Sequence, residues 1–334
     1  MVIQGVTFCG SKDGKIVQSS FTRERLAPDE ALIEVTHSGL CGTDIHYLKA
    51  EMVLGHEGVG FVRALGSECK DLNEGDRVGW GYIHGSCGRC EECLSGTDQY
   101  CREVRAYGQA DLDQGSFSGM AIRQEKWLLR IPENISSEDA APLMCGGATV
   151  FSPLLEHVKP TDRVGIVGIG GLGHLAIQFA AKMGCDVVVF SGSDSKRDEA
   201  LALGAREFYA TRGVEDYSTL NIPRAIDRLI LTASSQEGYS KFYPLLARKA
   251  TLIPLTASPG GDLVVPYQQT MSKGMKVVGT LVASRYMETK MLEFAARHDI
   301  RPIVEKFPMS LEGIEEAVAK LQAGKIRYRA VFAW

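Results

Sequence analysis

The sequence predicts an α/β protein with a β-rich first part followed by a doubly wound parallel sheet, and two observations carry this prediction. The first part contains short runs rich in Val, Ile and aromatic residues that glycine separates, as in ALIEVTHSGL, EGVGFVRALG and DRVGWGYI. Such runs are typical of antiparallel strands. From about residue 135, strand-like and helix-like segments alternate, which is the pattern of βαβ units stacked on a parallel sheet.

The elements of the second part follow from local patterns in chain order. Ser136 or Ser137 can cap the helix that NISSEDAAPLM begins. Strands are predicted at RVGIVGIG, CDVVVF, REFYA and AIDRLILT, helices at LGHLAIQFAAKMG and SKRDEALALG, and GYSKFYPLLARKATLIPL continues the alternation. The stretch from about residue 284 predicts two helices, TKMLEFAARH and EGIEEAVAKLQAG, and a final strand, YRAVFAW.

Length and composition set the class of protein. The chain has 334 residues, of which 45% are hydrophobic and 23% charged, so it is long enough for two domains with their own cores. The net charge of -4 gives no general attraction to nucleic acid or anionic lipid. The start, MVIQGVTFCGSKDGK, lacks the pattern of a secretory signal, and no apolar run reaches the length of a membrane span. We therefore expect a cytoplasmic protein with no nucleic-acid or membrane partner.

Four of the nine cysteines lie in one glycine-rich loop between Gly79 and Cys101. Disulfides are rare in a reducing compartment, so these cysteines are expected to be thiols or metal ligands. Their spacing, C-x2-C-x2-C-x7-C, favours a structural zinc ion with four thiolate ligands, over an iron–sulfur cluster or unrelated free thiols. The predicted ligands are Cys87, Cys90, Cys93 and Cys101, and Gly85, Gly88 and Gly96 allow tight turns around the ion.

A second glycine-rich motif, RVGIVGIGGLGHLAIQFAAKMG, joins an apolar strand to a helix. Glycine allows the tight turn and the close approach of the backbone to a pyrophosphate, which the helix N-terminus then faces. In this context the motif predicts a Rossmann dinucleotide site. The predicted contacts are Gly168, Gly170, Gly171, Leu172 and Gly173, and the helix packs with Leu172, Leu175, Ala176, Phe179 and Met183 on one face.

The residues after the second strand of this unit favour NADP(H) over NAD(H). An acidic residue at this place binds the ribose 2'-hydroxyl of NAD, whereas the chain has Ser191, Gly192 and Ser193 there, followed by Lys196. Hydroxyl groups and a cation suit a 2'-phosphate. Asp194 could serve NAD if the loop turned it inward, and Arg197 is expected to lie in a solvated helical turn.

Two further segments carry metal-ligand types, LCGTDIHYL and LGHEGVG, and a third is PLMCGGAT. Cys41, His56 and Cys145 could together form a catalytic zinc site, in which three protein ligands leave a fourth position open. Taken singly, a Cys or His in an apolar segment is more often packed in the core. Spacing alone does not join ligands so far apart in the chain.

Taken together, the motifs resemble those of the zinc-dependent medium-chain alcohol dehydrogenases. They are C-G-T-D-x-H, G-H-E-x-x-G, the four-cysteine loop, P-L-x-C-x-G-x-T, G-x-G-G-x-G-H and a terminal R-Y-R. Ser191, Ser193 and Lys196, with GTLVAS at 279–284 and Arg327-Tyr328-Arg329, resemble the cinnamyl alcohol dehydrogenase branch, whose members typically reduce aldehydes with NADPH as homodimers. This resemblance implies a GroES-like catalytic domain over 1–145, completed by 284–334, and a Rossmann NADP-binding domain over 146–283.

The resemblance also implies a role for each site residue. Cys41, His56 and Cys145 would bind the catalytic zinc, and Glu57 would be a transient ligand. Asp44 would orient His56. Thr43 would hydrogen-bond the substrate oxygen and pass its proton through the cofactor ribose to His46. Thr149 would pack on the nicotinamide.

The predicted reaction is hydride transfer between NADP(H) and an aldehyde or primary alcohol, aromatic or allylic, with aldehyde reduction favoured. Two alternatives on the same fold are a reductase of conjugated C=C bonds and a polyol dehydrogenase. A non-catalytic scaffold is a further alternative, and the loss of a zinc ligand would be its mark.

One departure from the family is that only fifteen positions separate Cys41 from His56. Either the rim of the substrate cleft is more open than usual, or some residues are absent from the sequence.

Overall fold

The structure is a computed structural model that describes residues 2–233, 238–256 and 262–334. Its strands are β1 (Ile3–Cys9), β2 (Val17–Arg23), β3 (Glu30–Leu40), β4 (Glu57–Leu65), β5 (Arg77–Trp80), β6 (Ile83–Gly85), β7 (Arg105–Ala106), β8 (Met120–Gln124), β9 (Leu129–Arg130), β10 (Arg163–Val167), β11 (Asp186–Ser191), β12 (Glu207–Ala210), β13 (Ile226–Leu231), β14 (Leu246–Pro254), β15 (Lys276–Val277), β16 (Val304–Pro308) and β17 (Arg329–Ala333). Its α-helices are α1 (Gly42–His46), α2 (Glu91–Leu94), α3 (Ser137–Pro142), α4 (Ala148–His157), α5 (Gly173–Lys182), α6 (Arg197–Ala202), α7 (Tyr267–Lys273), α8 (Arg285–His298) and α9 (Leu311–Gln322).

The chain folds as two compact units. The first unit runs up to Ala148 and resumes from Val282 to the C-terminus, and the second unit spans Thr149–Leu281. In the part of the chain that the structure describes, no helix is both long and apolar enough to cross a membrane.

The first unit is built on a seven-stranded sheet that joins distant parts of the chain. The strand order is β16-β17-β3-β4-β5-β9, and β8 also pairs with β3. The C-terminal strand β17 runs antiparallel to β3, with Ala330 opposite Leu40, and β4 pairs with β3 so that Glu57 lies opposite Gly39. The last residues of the chain therefore lie beside the end of β3, which leads into Cys41.

Aromatic residues from several strands form one core of the first unit. Phe117 and Phe332 are fully buried and pack edge to face, with ring centroids 4.8 Å apart, and Phe8 and Leu54 belong to the same cluster. Each such side chain contributes about 1.5–3 kcal/mol of transfer free energy when it leaves water. This core anchors the segment that carries His56, because the Leu54 N–H donates to the Phe8 carbonyl.

The second unit contains a six-stranded sheet in the order β12-β11-β10-β13-β14-β15. Each neighbouring pair is parallel. The central strands are buried on both faces, which explains their continuous apolar sequences. Helix α5 buries Leu175, Ala176 and Phe179 as its pattern predicts, whereas Leu172 and Met183, which flank the helix, are only half-buried.

The predicted α/β class is confirmed by these two sheets. Ser136, and not Ser137, caps the first helix of the alternating part: its side chain accepts a hydrogen bond from the Asp139 N–H at 3.0 Å. The predicted run DRVGWGYI is divided between β5 and β6.

Candidate active site

Four side chains with metal-ligand atoms converge in the first unit. The ligand atoms of Cys41, His56, Glu57 and Cys145 all lie within 4.8 Å of one another. Cys41 follows β3 and caps α1, His56 and Glu57 stand at the start of β4, and Cys145 lies in a π-helical turn over Leu143–Gly147. The fold thus brings together side chains that are far apart in the sequence.

Asp44 holds two of these ligand residues in place. Its Oδ1 lies 2.8 Å from His56 Nδ1, and its Oδ2 accepts a hydrogen bond of 2.8 Å from the Cys41 N–H. Asp44 is 1% exposed. Because a carboxylate only accepts, His56 carries its proton on Nδ1, and this leaves the Nε2 lone pair available.

His56 Nε2 is buried and has no hydrogen-bond partner among the described residues. A buried polar atom without a partner is costly, and a metal ion bound to Nε2 would remove this cost. The neighbouring donors are two thiols, which together with an imidazole form a ligand set typical of zinc. Cys41, His56 and Cys145 therefore fit a zinc ion with one position open.

The two thiols of this site influence each other's ionisation. The interaction between the two sulfur groups is the largest factor that lowers the pKa of Cys41 well below its ordinary value, and it raises the pKa of Cys145. Cys145 is buried and Cys41 is half-buried, and this burial opposes a charge on either sulfur. A cation bound between them would stabilise both thiolates.

Glu57 is buried against a cation that comes from the C-terminal strand. Arg329 Nη2 donates to the Glu57 carboxylate, and both side chains are at most 5% exposed. Burial raises the pKa of Glu57 to about 7, although the charge of Arg329 opposes this shift. In the sequence Arg329 is visible only as part of the R-Y-R motif, because 272 positions separate it from Glu57.

Thr43 and His46 lie on helix α1 next to the site. Thr43 is half-buried, and His46 is exposed at the last position of the helix. Residues three apart on a helix share a face. Thr149, in the first turn of α4, is 9% exposed.

Tyr107 is a contact of this site that the sequence analysis missed. Its ring packs on His56 with centroids 4.7 Å apart, and its hydroxyl accepts a hydrogen bond of 3.0 Å from the Gly55 N–H. Tyr107 is 3% exposed. It therefore helps to fix both the ring and the backbone that precedes it, and no local sequence signal marks this role.

A second ligand cluster lies in the loop that contains α2. The sulfur atoms of Cys87, Cys90, Cys93 and Cys101 lie within 4.8 Å of one another. Backbone N–H groups of Cys87 and Glu103 point to the Cys101 sulfur at 3.4 and 3.3 Å, and such contacts stabilise thiolates. All nine cysteines lie within the described residues and are free thiols.

Two of the three glycines that are expected to allow tight turns in this loop have positive φ angles. Gly88 and Gly96 have φ values of 73° and 81°, which favour glycine. Gly85 instead belongs to β6, where an added Cβ would lie 2.7 Å from the Arg105 side chain. The expectation that Gly85 forms a tight turn is therefore wrong: this glycine provides room for a neighbouring side chain.

The glycine turn of the second unit connects β10 to α5. Gly168 has a φ of 95°, and a Cβ on Gly173 would lie 2.0 Å from the Gly168 carbonyl oxygen. Gly170 has open space around it, with no atom within 4 Å of an added Cβ. Gly171 and Leu172 complete the turn, and Leu172 immediately precedes the helix. This cradle fits a pyrophosphate at the helix N-terminus.

The turn after β11 carries the residues that were expected to select the nucleotide. Ser191 ends β11, and the Lys196 ammonium donates to the Ile169 carbonyl at 2.8 Å, so this lysine reaches the glycine turn. Asp194 is exposed and pairs with Arg197 at 2.6 Å. In this structure Asp194 is engaged by a neighbouring cation.

Comparison with known proteins agrees with this geometry. The family model described as alcohol dehydrogenase GroES-like domain matches residues 27–133, and the model described as zinc-binding dehydrogenase matches residues 171–297. The chain is 35% identical over 331 residues to the probable formaldehyde dehydrogenase AdhA of Bacillus subtilis, covering 95% of this chain and 93% of that protein.

Two further proteins are similar over almost their whole length. The NADP-dependent alcohol dehydrogenase C 1 of Mycolicibacterium smegmatis is 34% identical, and the match covers 95% of this chain and 93% of that protein. The solved structure of a cinnamyl alcohol dehydrogenase from Sorghum bicolor superposes with a TM-score of 0.88 at 30% identity, covering 99% and 98% of the two chains. On this evidence of sequence and fold, the chain belongs to the zinc-dependent medium-chain alcohol dehydrogenase family, in its cinnamyl alcohol dehydrogenase-like branch.

Proposed function

We propose that this chain is a zinc- and NADP(H)-dependent enzyme that reduces an aromatic or allylic aldehyde to the primary alcohol. The observation that carries the proposal is the unpartnered, buried Nε2 of His56, which lies among two thiols and is oriented by Asp44. Membership of an alcohol dehydrogenase family supports the coarser reaction, oxidoreduction between alcohol and aldehyde.

The residues of the first unit would hold the metal. Cys41, His56 and Cys145 are its ligands in this proposal, and Glu57 is close enough to serve as a transient ligand. When bound, the zinc ion polarises the substrate carbonyl as a Lewis acid, and the reduced nicotinamide supplies the hydride. The remaining tasks belong to the chain: to orient the ligands and to move one proton.

Thr43 and His46 are the proposed proton path. Reduction of one aldehyde consumes one hydride and one proton, so the site needs a donor that exchanges protons with water. The half-buried hydroxyl of Thr43 would donate to the substrate oxygen, and His46 is exposed to solvent on the same short helix. This arrangement supports general acid catalysis in the reductive direction.

The second unit would bind NADP(H) at its glycine turn. The proposed contacts are Gly168, Gly170, Gly171, Leu172 and Gly173 for the pyrophosphate, Ser191, Ser193 and Lys196 for the 2'-phosphate, and Thr149 for the nicotinamide. Lys196 supports this assignment because its ammonium already lies at the glycine turn. The printed name of the NADP-dependent relative from M. smegmatis agrees with this cofactor.

The four-cysteine loop would hold a second, structural zinc ion. The four sulfurs converge without disulfides, and zinc with four thiolates has no open position for a substrate. The proposed stoichiometry is two zinc ions per chain.

Two expectations on the cellular context also remain proposals. A homodimer is supported by the exposed edge strand β15 of the parallel sheet, since an edge strand offers unpaired backbone groups to a second chain. A cytoplasmic location is supported by the nine free thiols.

The deciding experiment is the oxidation of NADPH and, separately, of NADH by the purified protein with a panel of aromatic, allylic and aliphatic aldehydes. We expect NADPH to be used at least about tenfold more efficiently, a difference of about 1.4 kcal/mol. Cys145→Ser should abolish the reaction, and Cys69→Ser, which changes a thiol outside both clusters, should retain it.

The same experiment can contradict the proposal. A protein that holds two zinc ions but consumes neither cofactor with any aldehyde would exclude carbonyl reduction as its reaction. Conjugated alkenes and polyols, tested in parallel, then identify the alternative chemistry on this fold.

A further inference from the structure

Arg212 stands at the carboxyl end of the parallel sheet, beside the turn that follows β11. Strand β12 ends at Ala210, which lies opposite Ser191 in the sheet. The Thr211 N–H and hydroxyl both donate to the Ser191 carbonyl, at 2.8 and 3.1 Å. These bonds tie the residues before Arg212 to the end of β11.

The guanidinium of Arg212 lies near Gly192, the residue that follows Ser191 in the turn after β11. A Cβ built on Gly192 would lie 3.9 Å from Arg212 Nη2, and no other atom comes within 4 Å of it. The space above Gly192 is therefore open except for this cation. A side chain at position 192 would fill the space, whereas glycine leaves it for a ligand.

Arg212 differs in its partners from Arg197 and Lys196, the other two cations near this turn. Arg197 pairs with Asp194 and also lies over the ring of Phe208 at 4.8 Å. The Lys196 ammonium donates to a backbone carbonyl. Arg212 is exposed and has no ion pair or hydrogen bond with any residue that the structure describes.

We propose that Arg212 binds the 2'-phosphate of NADP(H), together with the hydroxyls of Ser191 and Ser193, and so determines the preference for NADP(H) over NAD(H). A guanidinium presents paired N–H donors that match phosphate oxygens, and NAD(H) has only a hydroxyl at that place. The inference rests on the proposed use of NADP(H), and adds to it a residue from the turn after β12 that no motif marks.

The test measures binding without catalysis. Isothermal titration calorimetry with 2',5'-ADP and with 5'-AMP separates the phosphate contact from the rest of the nucleotide, since neither compound carries a nicotinamide. Arg212→Ala is expected to raise the Kd of 2',5'-ADP about tenfold and to change the Kd of 5'-AMP by less than about twofold. Arg212→Lys should fall between Arg212→Ala and the unchanged protein, because lysine keeps the charge but loses the paired donors.

Arg206→Ala is the matched control. Arg206 is also exposed, and it precedes β12 at the opposite end of the strand, where its N–H donates to the Val187 carbonyl. Its removal changes the net charge equally, so the Kd of 2',5'-ADP should change by less than about twofold. Thermal unfolding of both variants shows whether either substitution disturbs the fold.

The outcomes separate this inference from the proposed function. If the unchanged protein binds 2',5'-ADP no better than 5'-AMP, the proposed use of NADP(H) fails and the role of Arg212 fails with it. If the unchanged protein prefers 2',5'-ADP but Arg212→Ala keeps the same preference as Arg206→Ala, only the role of Arg212 is overturned. Equal weakening of both ligands by Arg212→Ala would likewise overturn it, since that result indicates a structural effect.

Discussion

Replacing Asp44 by Asn tests the idea that this carboxylate organises the zinc site. Asp44 accepts two hydrogen bonds of 2.8 Å, one from His56 and one from the Cys41 N–H. An amide of the same size has one accepting and one donating end. The donating end of the asparagine amide would therefore face the N–H of either His56 or Cys41. The other N–H would bond to a neutral oxygen and lose its charge-assisted bond.

The expected cost follows from those two contacts. A hydrogen bond to a charged group is worth about 1.5–3 kcal/mol, and a buried donor left without a partner costs about 1–3 kcal/mol. Because the same bonds exist before zinc binds, the cost is divided between the stability of the fold and the affinity for zinc. We expect zinc affinity at this site to fall about 10- to 100-fold, the range usual for groups that orient metal ligands.

The assay counts zinc ions per chain by mass spectrometry after equilibration with graded chelator buffers. For Asp44→Asn, one of the two ions should leave at a higher concentration of free zinc, and the ion of the four-cysteine loop should stay. Asp162→Asn is the matched control, because Asp162 also combines a backbone N–H, from Lys159 at 2.9 Å, with a cation, Arg228 at 3.2 Å. That variant should lose neither ion.

Two results would refute the reasoning about Asp44. One is a zinc affinity for Asp44→Asn within about threefold of the unchanged protein, a difference of only about 0.6 kcal/mol. The other is an equal loss of zinc from Asp162→Asn, which would assign the effect to the missing charge and not to the bonds with His56 and Cys41.

Three further predictions concern the second metal site, the nucleotide turn and acid stability. Cys90→Ser should remove one of the two zinc ions and lower the free energy of unfolding by about 3 kcal/mol, the order expected for a lost cross-link, measured by metal analysis and urea unfolding. Gly173→Ala should destabilise the second unit by about 1–3 kcal/mol and abolish NADP+ binding in calorimetry, because the Cβ would lie 2.0 Å from the Gly168 carbonyl oxygen. Asp111→Asn should destabilise the protein by about 1 kcal/mol at pH 7 after allowance for partial exposure, since the contact with His84, whose Nε2 lies 2.9 Å from the Asp111 carboxylate, and the charge of Arg105 lower the pKa of Asp111 to about 2. A lowered pKa stabilises the folded state above the ordinary carboxyl range, so urea unfolding should show this difference shrink as the pH falls below about 4 toward 2.

Matched variants define what would contradict these three predictions. Cys69→Ser should keep both zinc ions, and equal loss from Cys69→Ser and Cys90→Ser would argue against a four-cysteine site. Gly170→Ala should fold normally, because no atom lies within 4 Å of the added Cβ, so equal destabilisation would reject the steric argument. Asp113→Asn, at an exposed carboxylate, is the matched control, and a stability difference for Asp111→Asn that does not change with pH, or that equals the control's difference at every pH, would remove the role of the lowered pKa of Asp111.

Local chemistry was enough to predict the parts of this protein that are contiguous in the chain. The four-cysteine loop spans few residues, so its spacing alone brings the sulfurs together. The glycine turn likewise lies between a strand and a helix that follow each other directly. The alternation of apolar strands and helices predicted the parallel sheet, because the period of the side chains determines which faces are buried.

The cluster of Cys41, His56, Glu57 and Cys145 could not be predicted in this way, because its members are far apart in the chain and only the resemblance to a family grouped them. Cys145 meets Cys41 only through the packing of a π-helical turn near the end of β3. Gly85 was misread as a turn residue, since the sequence does not show that Arg105 packs against it.

Tertiary structure alone decided which cations lie next to Glu57 and Gly192. Arg329 reaches Glu57 because β17 pairs with β3 beside β4, and Arg212 reaches Gly192 because β12 lies next to β11 in the sheet. A strand neighbour can come from any part of the chain, and its side chains carry no mark of the partner they will meet. The sequence by itself therefore determined the local elements and the reactive side chains that they carry. The order of strands in the sheets decided which of these side chains lie together, because hydrogen bonding between strands depends on the fold and not on distance along the chain.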